Sequence, residues 1–477
     1  MSKLVRNFVY VNLQQLLTII IPLITTPYLT RHLGATSLGI DGYVLSVVTL
    51  CETFGSLGTN IYANREIAYV RDDKERLTNV FWELMLLRLG LGGITAAVYL
   101  AVGFLSSYRV IFCIQIMHLI GYFVDTSWLF VGLERMRSVV LTNTLVKTVT
   151  TVCIFLLIHQ ASDLRLYVVI TAAGQLAMAS LILLQCRNVI GRLHPSRLRV
   201  FRHLRQIIAL FLPQAASSIY VLFDKTMLGL LASDFSCVSI YDKGEVLVKT
   251  PCVLALAVTT VLMPRMANAH AAGRKQEVKR LVHYALQYMF LLFVPLAVGF
   301  ALVAPPFVTW YLGENYAGSA RVIQILSPII LAIALSNVSG AQYLIATNQT
   351  RTLTISYLSA AILNLTGNYF LIPIWEELGA AFTTSLAEIT VMLVQFYAMR
   401  KALGRLGIFE LAWKKLIAVC AMTALILFIQ RWQTTVALWI GQILAGAAVY
   451  FVVLFLLRDE ALERGIRMIR GFRKAGG

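Results

Sequence analysis

In the stretch IYVLFDKTMLGLLA (Ile219–Ala232), Asp224 and Lys225 stand side by side inside an otherwise apolar run. Glu52, Arg88, Asp125, Lys147, Lys249 and Glu388 occupy comparable positions in other apolar runs. A charge near the centre of a membrane helix costs roughly 2.5–3.5 kcal/mol, so these eight facing lipid would cost on the order of 20–28 kcal/mol. Most folded domains have a net stability of only about 5–15 kcal/mol. The side chains must therefore meet one another or water. Ion pairs that cement helices would satisfy this, and so would a hydrated cavity lined by several helices. Successive residues on a helix point ~100° apart, so Asp224 and Lys225 are not expected simply to face each other.

The residue types suggest a chemistry. Arg88, Lys147, Lys225 and Lys249 are deep cations and suit an anionic headgroup such as a pyrophosphate. Arg offers a planar fork and Lys a point charge. Neutralising Lys225 or Arg88 is accordingly expected to reduce transport while insertion stays normal. Glu52, Asp125, Asp224 and Glu388 can change protonation or hold Na⁺, which suits coupling to H⁺ or Na⁺; no other cofactor is indicated. In SIYDKGEVLVKTP, Asp242, Glu245 and Lys249 share one helical stripe, and Lys243 lies off it. Glu245 precedes Lys249 by four, the favourable order for a helical pair.

Other chemistries lack their residues. There is no P-loop GxxxxGK[ST] and no metal-ligand spacing of Cys with His. The seven cysteines are scattered without a CxxC and read as packing residues. His118 and His159 stand without evident partners. The RDDKE stretch (Arg71–Glu75) reads as a solvated loop.

These residues need elements to hold them. Of 477 residues, 58% are hydrophobic and 13% charged, well away from soluble averages near 45–50% and 25%. Runs of about 20 apolar residues span a bilayer. Fourteen are found: 8–29, 38–61, 79–104, 109–132, 140–159, 165–186, 206–231, 239–263, 282–304, 322–345, 353–373, 377–399, 413–430 and 435–457. A barrel would need shorter alternating segments. The fold class is therefore an all-α integral membrane protein with about 14 transmembrane helices. The first run passes Pro22 and Pro27 without a cleavage site, as an uncleaved span does. Proline also interrupts spans at Pro213, Pro251 and Pro328.

With the N-terminus inside, 31 Lys and Arg fall in inner segments and 5 in outer ones. This asymmetry orients the chain with both termini cytoplasmic. The net charge of +18 thus reflects membrane topology, and no nucleic-acid partner is expected. The basic segment 187–205 divides an N-terminal lobe, 1–186 with spans one to six, from a C-terminal lobe, 206–399 with spans seven to twelve. Residues 400–477 hold spans thirteen and fourteen and a basic tail. Weak self-similarity favours two parallel six-helix halves, as in two-lobed transporters.

Several stretches together resemble a known family. PYLTRHLGATSLGIDGYVLSVVTLCETFGSLGTNIYANREIAYVRDDKERL (Pro27–Leu77), SWLFVGLERMR (Ser127–Arg137), FDKTMLGLL, GFALVAPPFVTWYLGENYAGSARVIQIL and ILNLTGNYFLIPIWEELGAAFTTSLAEI are similar to bacterial polysaccharide flippases of the Wzx type. These belong to the multidrug/oligosaccharidyl-lipid/polysaccharide exporter superfamily. The stretch LLASDFSCVSIYDKGEV departs from the family's small-residue pattern. The resemblance implies two six-helix lobes around a central cavity, plus two C-terminal helices. It implies a flippase that is not an enzyme, moving undecaprenyl-pyrophosphate-linked oligosaccharide, an O-antigen, capsule or exopolysaccharide precursor, by alternating access. It places the chain in the bacterial inner membrane, with a polysaccharide polymerase and chain-length regulator as further partners. Asp224 and Lys225 correspond to the family's span-seven pair; Arg31 and Glu52 occupy family-like positions. The expected cavity cations are Arg88, Lys147, Lys225, Lys249 and Arg31; the cavity acids are Asp224, Glu52, Asp125, Glu245 and Glu388. Other cargoes on the same fold are lipid II, a teichoic-acid precursor or drugs exchanged for cations. A membrane glycosyltransferase or polymerase fits less well, because the outer loops are short and Glu376–Glu377 is their one conspicuous acidic pair.

Overall fold

The computed structural model describes the backbone of residues 3–193, 198–404, 406–432 and 439–475. Side chains are described for 17–193, 198–209, 211, 222–256, 258–259, 261–404, 406–431 and 439–467. Residues 194–197 of the basic linker and the side chain of Pro213 lie outside these. Among the described residues the chain is helical and holds no strand. It divides into two compact units, Met1–Ser239 and Ile240–Gly477.

The first unit contains α1 (Lys3–His32), α2 (Gly34–Ser56), α3 (Thr59–Val70), α4 (Lys74–Leu105), α5 (Arg109–Val124), α6 (Ser127–Gly132), α7 (Met136–Leu157), α8 (Leu164–Cys186) and α9 (Leu204–Leu231). α10 (Ser236–Lys249) begins in the first unit and continues into the second. The second unit adds α11 (Val253–Ala271), α12 (Lys275–Leu312), α13 (Gly318–Leu326), α14 (Pro328–Ser336), α15 (Thr350–Leu403), α16 (Ile408–Trp432), α17 (Trp439–Leu456) and α18 (Glu460–Ala475).

Ten of the described helical segments are long and apolar enough to cross a membrane, or eleven with the bent segment Ser236–Ala271. Two features account for most of the difference from fourteen. α15 runs through two expected spans as one 54-residue element, broken at Glu376, which takes a left-handed φ of 49°. The remaining expected spans are α1 and α9, 30 and 28 residues long, and many of their side chains lie outside the description. Membrane-facing surfaces are apolar as a bilayer requires: Ile94, Phe104, Leu105, Leu156, Ile362, Phe370, Leu444 and Phe455 are all exposed. Trp310 and Trp439 meet with ring centroids 4.8 Å apart, at the end of α12 and the start of α17, where interfacial aromatics belong.

Two spans break where the sequence reading ran them straight through. Span two ends at Ser56, because Leu57 (φ 49°) and Gly58 (φ 73°) both turn left-handed. Span four is split into α5 and α6 at Asp125 and Thr126. The helix α1, in contrast, passes Pro22 and Pro27 without interruption. Pro251 sits in a 3₁₀ turn (Thr250–Cys252) between α10 and α11.

α9 packs on α2, and this places it in the first unit, past the basic linker. The glycines of span two permit close approach. A Cβ at Gly39 would collide with the Phe235 carbonyl, and one at Gly55 with the Thr95 side chain. An apolar core gathers Tyr62, Ile67, Phe81, Leu84, Trp128 and Leu129 at one end of this unit. Phe81 and Trp128 stack with centroids 5.5 Å apart.

Candidate functional site

In the first unit two helices present matching polar pairs. Glu52 and Ser56 stand one turn apart on α2, as do His118 and Tyr122 on α5. His118 Nε2 lies 3.5 Å from Glu52 Oε1, and the Tyr122 hydroxyl donates to Ser56 Oγ at 3.2 Å. Glu52 is only 9% exposed, and its Oε1 has no hydrogen bond. His118 is therefore not isolated, as the sequence reading had it. It stands against a buried carboxylate on a neighbouring helix, a pairing that linear spacing cannot display.

Arg88 on α4 continues this network. It is fully buried. Its guanidinium donates to the Tyr122 carbonyl at 2.7 Å, to Thr59 Oγ1 at 3.2 Å, to the Phe123 carbonyl at 3.5 Å and to Asn60 Oδ1. It also lies 5.6 Å from the Tyr122 ring centre. These carbonyls belong to the last turn of α5, and Thr59 and Asn60 begin α3. Arg88 thus ties three helices where α2 and α5 break. In this structure the fork is spent on protein oxygens and none of it reaches solvent.

Asp125 is half-buried and is held by its neighbours. One carboxylate oxygen accepts the Ser127 N–H at 3.0 Å and the other the Ser127 hydroxyl at 2.6 Å. Its carbonyl accepts Trp128 Nε1 at 3.1 Å. These bonds hold the turn between α5 and the start of α6.

Lys147 on α7 is half-buried and donates to Thr18 Oγ1 of α1 at 3.2 Å. Arg31 is exposed in the last turn of α1, where a cation complements the helix dipole. On α9, Asp224 is 1% exposed and Lys225 half-buried. The next residue, Thr226, exchanges a hydrogen bond with Ser46 of α2 at 2.7 Å, which fixes the rotation of α9 at this pair.

Two charged groups escaped the sequence reading. Asp41 of α2 is buried and accepts from Gln115 Nε2 at 3.0 Å. Glu83 of α4 is 1% exposed and receives the end of the basic linker. It accepts the Arg199 N–H at 2.7 Å, pairs with Arg202 at 2.6 Å and lies 2.9 Å from His203 Nε2. The Tyr62 hydroxyl meets His203 Nδ1 at 2.7 Å. Burial first, and then Glu66, push the Tyr62 hydroxyl up to about 12. An acidic residue entering span three opposite a run of linker cations was the available signal.

In the second unit the expected stripe on α10 forms. Lys249 Nζ bonds Glu245 Oε1 at 2.6 Å, with Glu245 buried. Lys243 also reaches its own neighbour Asp242 at 2.7 Å. A flexible lysine stem overcomes the ~100° offset between adjacent residues. Glu388 of α15 is 5% exposed and lies close to Cys252, as does Lys249, and to Tyr357. A ladder of neutral polar groups joins the two halves of α15. Asn364 donates to Thr384 at 3.5 Å, Asn368 to Asn364 at 3.4 Å, and Thr383 to Asn368. Tyr241 and Thr384 hydroxyls meet at 3.0 Å. The span-ten segment adds a π-helix, Asn337–Leu344, a form enriched at functional sites.

The second unit also holds a groove of about 420 Å³ where α12, α16 and α17 meet. Leu292, Leu296, Phe300, Met422, Ile443 and Phe451 line it, with almost no polar surface.

Residues 4–270, more than half of the chain, match the family model described as "Polysaccharide biosynthesis protein". The chain belongs to this polysaccharide biosynthesis family. Its relatives include a candidate O-antigen transporter of Escherichia coli (strain K12), 26% identical over 406 residues, covering 83% of this chain and 97% of that protein. The lipid II flippase MurJ of Bacillus subtilis (strain 168) is 24% identical over 161 residues, 33% of this chain and 29% of that one. In fold, this member of the family is similar to lipid II flippase MurJ in an inward closed conformation. The TM-score is 0.71 at 16% identity, over 95% of this chain and 99% of that one. An inward-facing multidrug resistance MATE transporter matches with a TM-score of 0.58 at 16% identity, over 81% and 98%. The family member is thus a multi-pass membrane protein with the MurJ and MATE transporter fold.

Proposed function

We propose that the protein is a flippase for a lipid-linked oligosaccharide and not an enzyme. The observation that carries this reading is the match to the candidate O-antigen transporter over 97% of that relative's length. The apolar groove on α12, α16 and α17 supports it, since a polyprenyl chain needs an apolar seat while its headgroup crosses. The cargo of this reading is an undecaprenyl-pyrophosphate-linked O-antigen, capsule or exopolysaccharide unit. It moves from the cytoplasmic to the outer leaflet of the bacterial inner membrane by alternating access, and a polymerase and chain-length regulator consume it. Both termini lie in the cytoplasm, following the basic loops.

In the first unit Lys147, Lys225 and Arg31 remain as cations for the pyrophosphate, because each keeps some exposed surface; in the second unit Lys249 also keeps some, while paired with Glu245. For coupling, Glu52 with His118 is the preferred proton site. Glu52 is buried with an oxygen lacking a hydrogen bond, and a base stands beside it. Asp224 and Glu388 are the other buried acids of this reading. Asp125, bonded to Ser127, and Glu245, paired with Lys249, complete the acids of this reading.

The test is movement of a fluorescent undecaprenyl-pyrophosphate oligosaccharide in proteoliposomes, with and without an imposed pH gradient. Flipping accelerated by the gradient is the expected result; no flipping above protein-free vesicles overturns the reading. The partial match to the Bacillus subtilis MurJ favours lipid II as the second cargo, and competition by lipid II in the same vesicles decides between them.

A further inference from the structure

Only Leu457, Arg458 and Asp459 separate the membrane-length helix α17 from α18. Arg458 turns left-handed there, with φ 50°. Asp459 closes the turn: Oδ1 accepts the N–H groups of Ala461 at 3.0 Å and Leu462 at 3.2 Å. Its other oxygen pairs with Lys415 of α16 at 2.5 Å, and both side chains are buried. Lys414 donates to the Arg458 carbonyl at 3.0 Å. Farther along, Arg464 pairs with Glu460 at 2.8 Å and lies 4.6 Å from the Tyr284 ring centre of α12. The start of α18 is therefore pinned to the ends of α12 and α16, at the level where the spanning helices leave the bilayer.

The sequence of α18, EALERGIRMIRGFRKA, sets Leu462, Ile466, Ile469 and Phe472 on one helical stripe, which Arg473 joins in the last turn. Arg467, Arg470 and Lys474 share another. Its cations, Arg464, Arg467, Arg470, Arg473 and Lys474, outnumber its acids, Glu460 and Glu463. A helix with an apolar stripe and a basic stripe lies in the plane of a membrane interface. A cluster of Lys and Arg beside the end of a spanning helix is drawn to anionic lipid.

We propose that α18 lies along the membrane surface and binds anionic phospholipid headgroups of the leaflet it borders. The apolar stripe sits at the acyl boundary, and the basic stripe meets phosphate. The excess of cations over acids selects an anionic surface over a neutral one. Nothing in this reading depends on which cargo the protein moves.

Full-length protein with its seven native cysteines replaced, carrying one fluorophore at position 469 or 467, tests this in vesicles with and without phosphatidylglycerol. In anionic vesicles the fluorophore at 469 is expected to be quenched several-fold more by brominated lipid than by aqueous iodide. The one at 467 should show the reverse. Arg467→Gln with Arg470→Gln and Lys474→Gln should remove the dependence on phosphatidylglycerol, with a monodisperse protein in detergent as the check on folding. Equal access of iodide to both positions overturns the proposal, because α18 then projects into water. Protection of position 469 from both quenchers also overturns it, because α18 then packs on protein. Equal lipid quenching with and without phosphatidylglycerol overturns the anionic preference.

Discussion

At the scale of single residues, the polar groups of the first unit separate by whether their bonds are already used. Arg88 has its fork filled by carbonyl, hydroxyl and amide oxygens. Arg88→Met leaves several buried acceptors orphaned, at roughly 1–3 kcal/mol each. A lower melting temperature in detergent and lower yield are expected, and Arg88→Lys should not restore them because a lysine lacks the fork. Lys225 is half-buried and keeps surface, so under the proposed reading Lys225→Gln should lower flipping in the same vesicles. The two variants together test which cation is structural. Glu52→Gln removes a group that can exchange a proton. Flipping by this variant should lose its response to a pH gradient while protein yield stays normal; a response equal to that of the unaltered protein would remove Glu52 from coupling.

At the scale of elements, the linker between α8 and α9 is held by a small buried cluster. Trp82 Nε1 donates to the Gly191 carbonyl at 3.2 Å, and the Gly191 N–H donates to Thr78 at 3.0 Å. Glu83 then gathers Arg199, Arg202 and His203. Removing one member of a buried charge cluster costs on the order of 3–5 kcal/mol. Glu83→Gln should free this end of the linker, and limited trypsin digestion should cut it faster at Arg199 and Arg202. Cleavage at the original rate would show that the apolar contacts alone hold the segment. The same scale explains the broken spans. Asp125 accepts the Ser127 N–H and hydroxyl before α6, and Leu57–Gly58 turns the chain out of α2, so each break is fixed by local hydrogen bonds and backbone freedom.

At the scale of the whole molecule, the two units carry different kinds of interior. The first concentrates charged and titratable groups between α2, α4 and α5. The second combines the Glu245–Lys249 pair and the Asn364–Thr384 ladder with an apolar groove elsewhere. Gly299 lines that groove, and a Cβ placed there meets nothing within 4 Å. Gly299→Leu should therefore fill space without disturbing the helices. Under the lipid-seat reading it slows flipping of a long polyprenyl cargo and spares a short-chain analogue. Equal rates for both chain lengths in this variant would separate the groove from cargo movement.

The sequence by itself determined the all-α membrane class and the order of its long apolar helices. It also determined the basic asymmetry and the Glu245–Lys249 pair. Each of these is a local property: hydrophobic run length, loop charge or helical spacing within one segment. Only the tertiary structure decided that His118 faces Glu52, which protein groups Arg88 and Asp125 bind, and that Glu83 receives the linker. It also decided that α9 packs on α2. Those outcomes join groups as far as 180 residues apart, as Ser46 and Thr226 are. Burial leaves each polar atom to find whichever partner packing brings near, and a linear chain holds no record of which helix that will be.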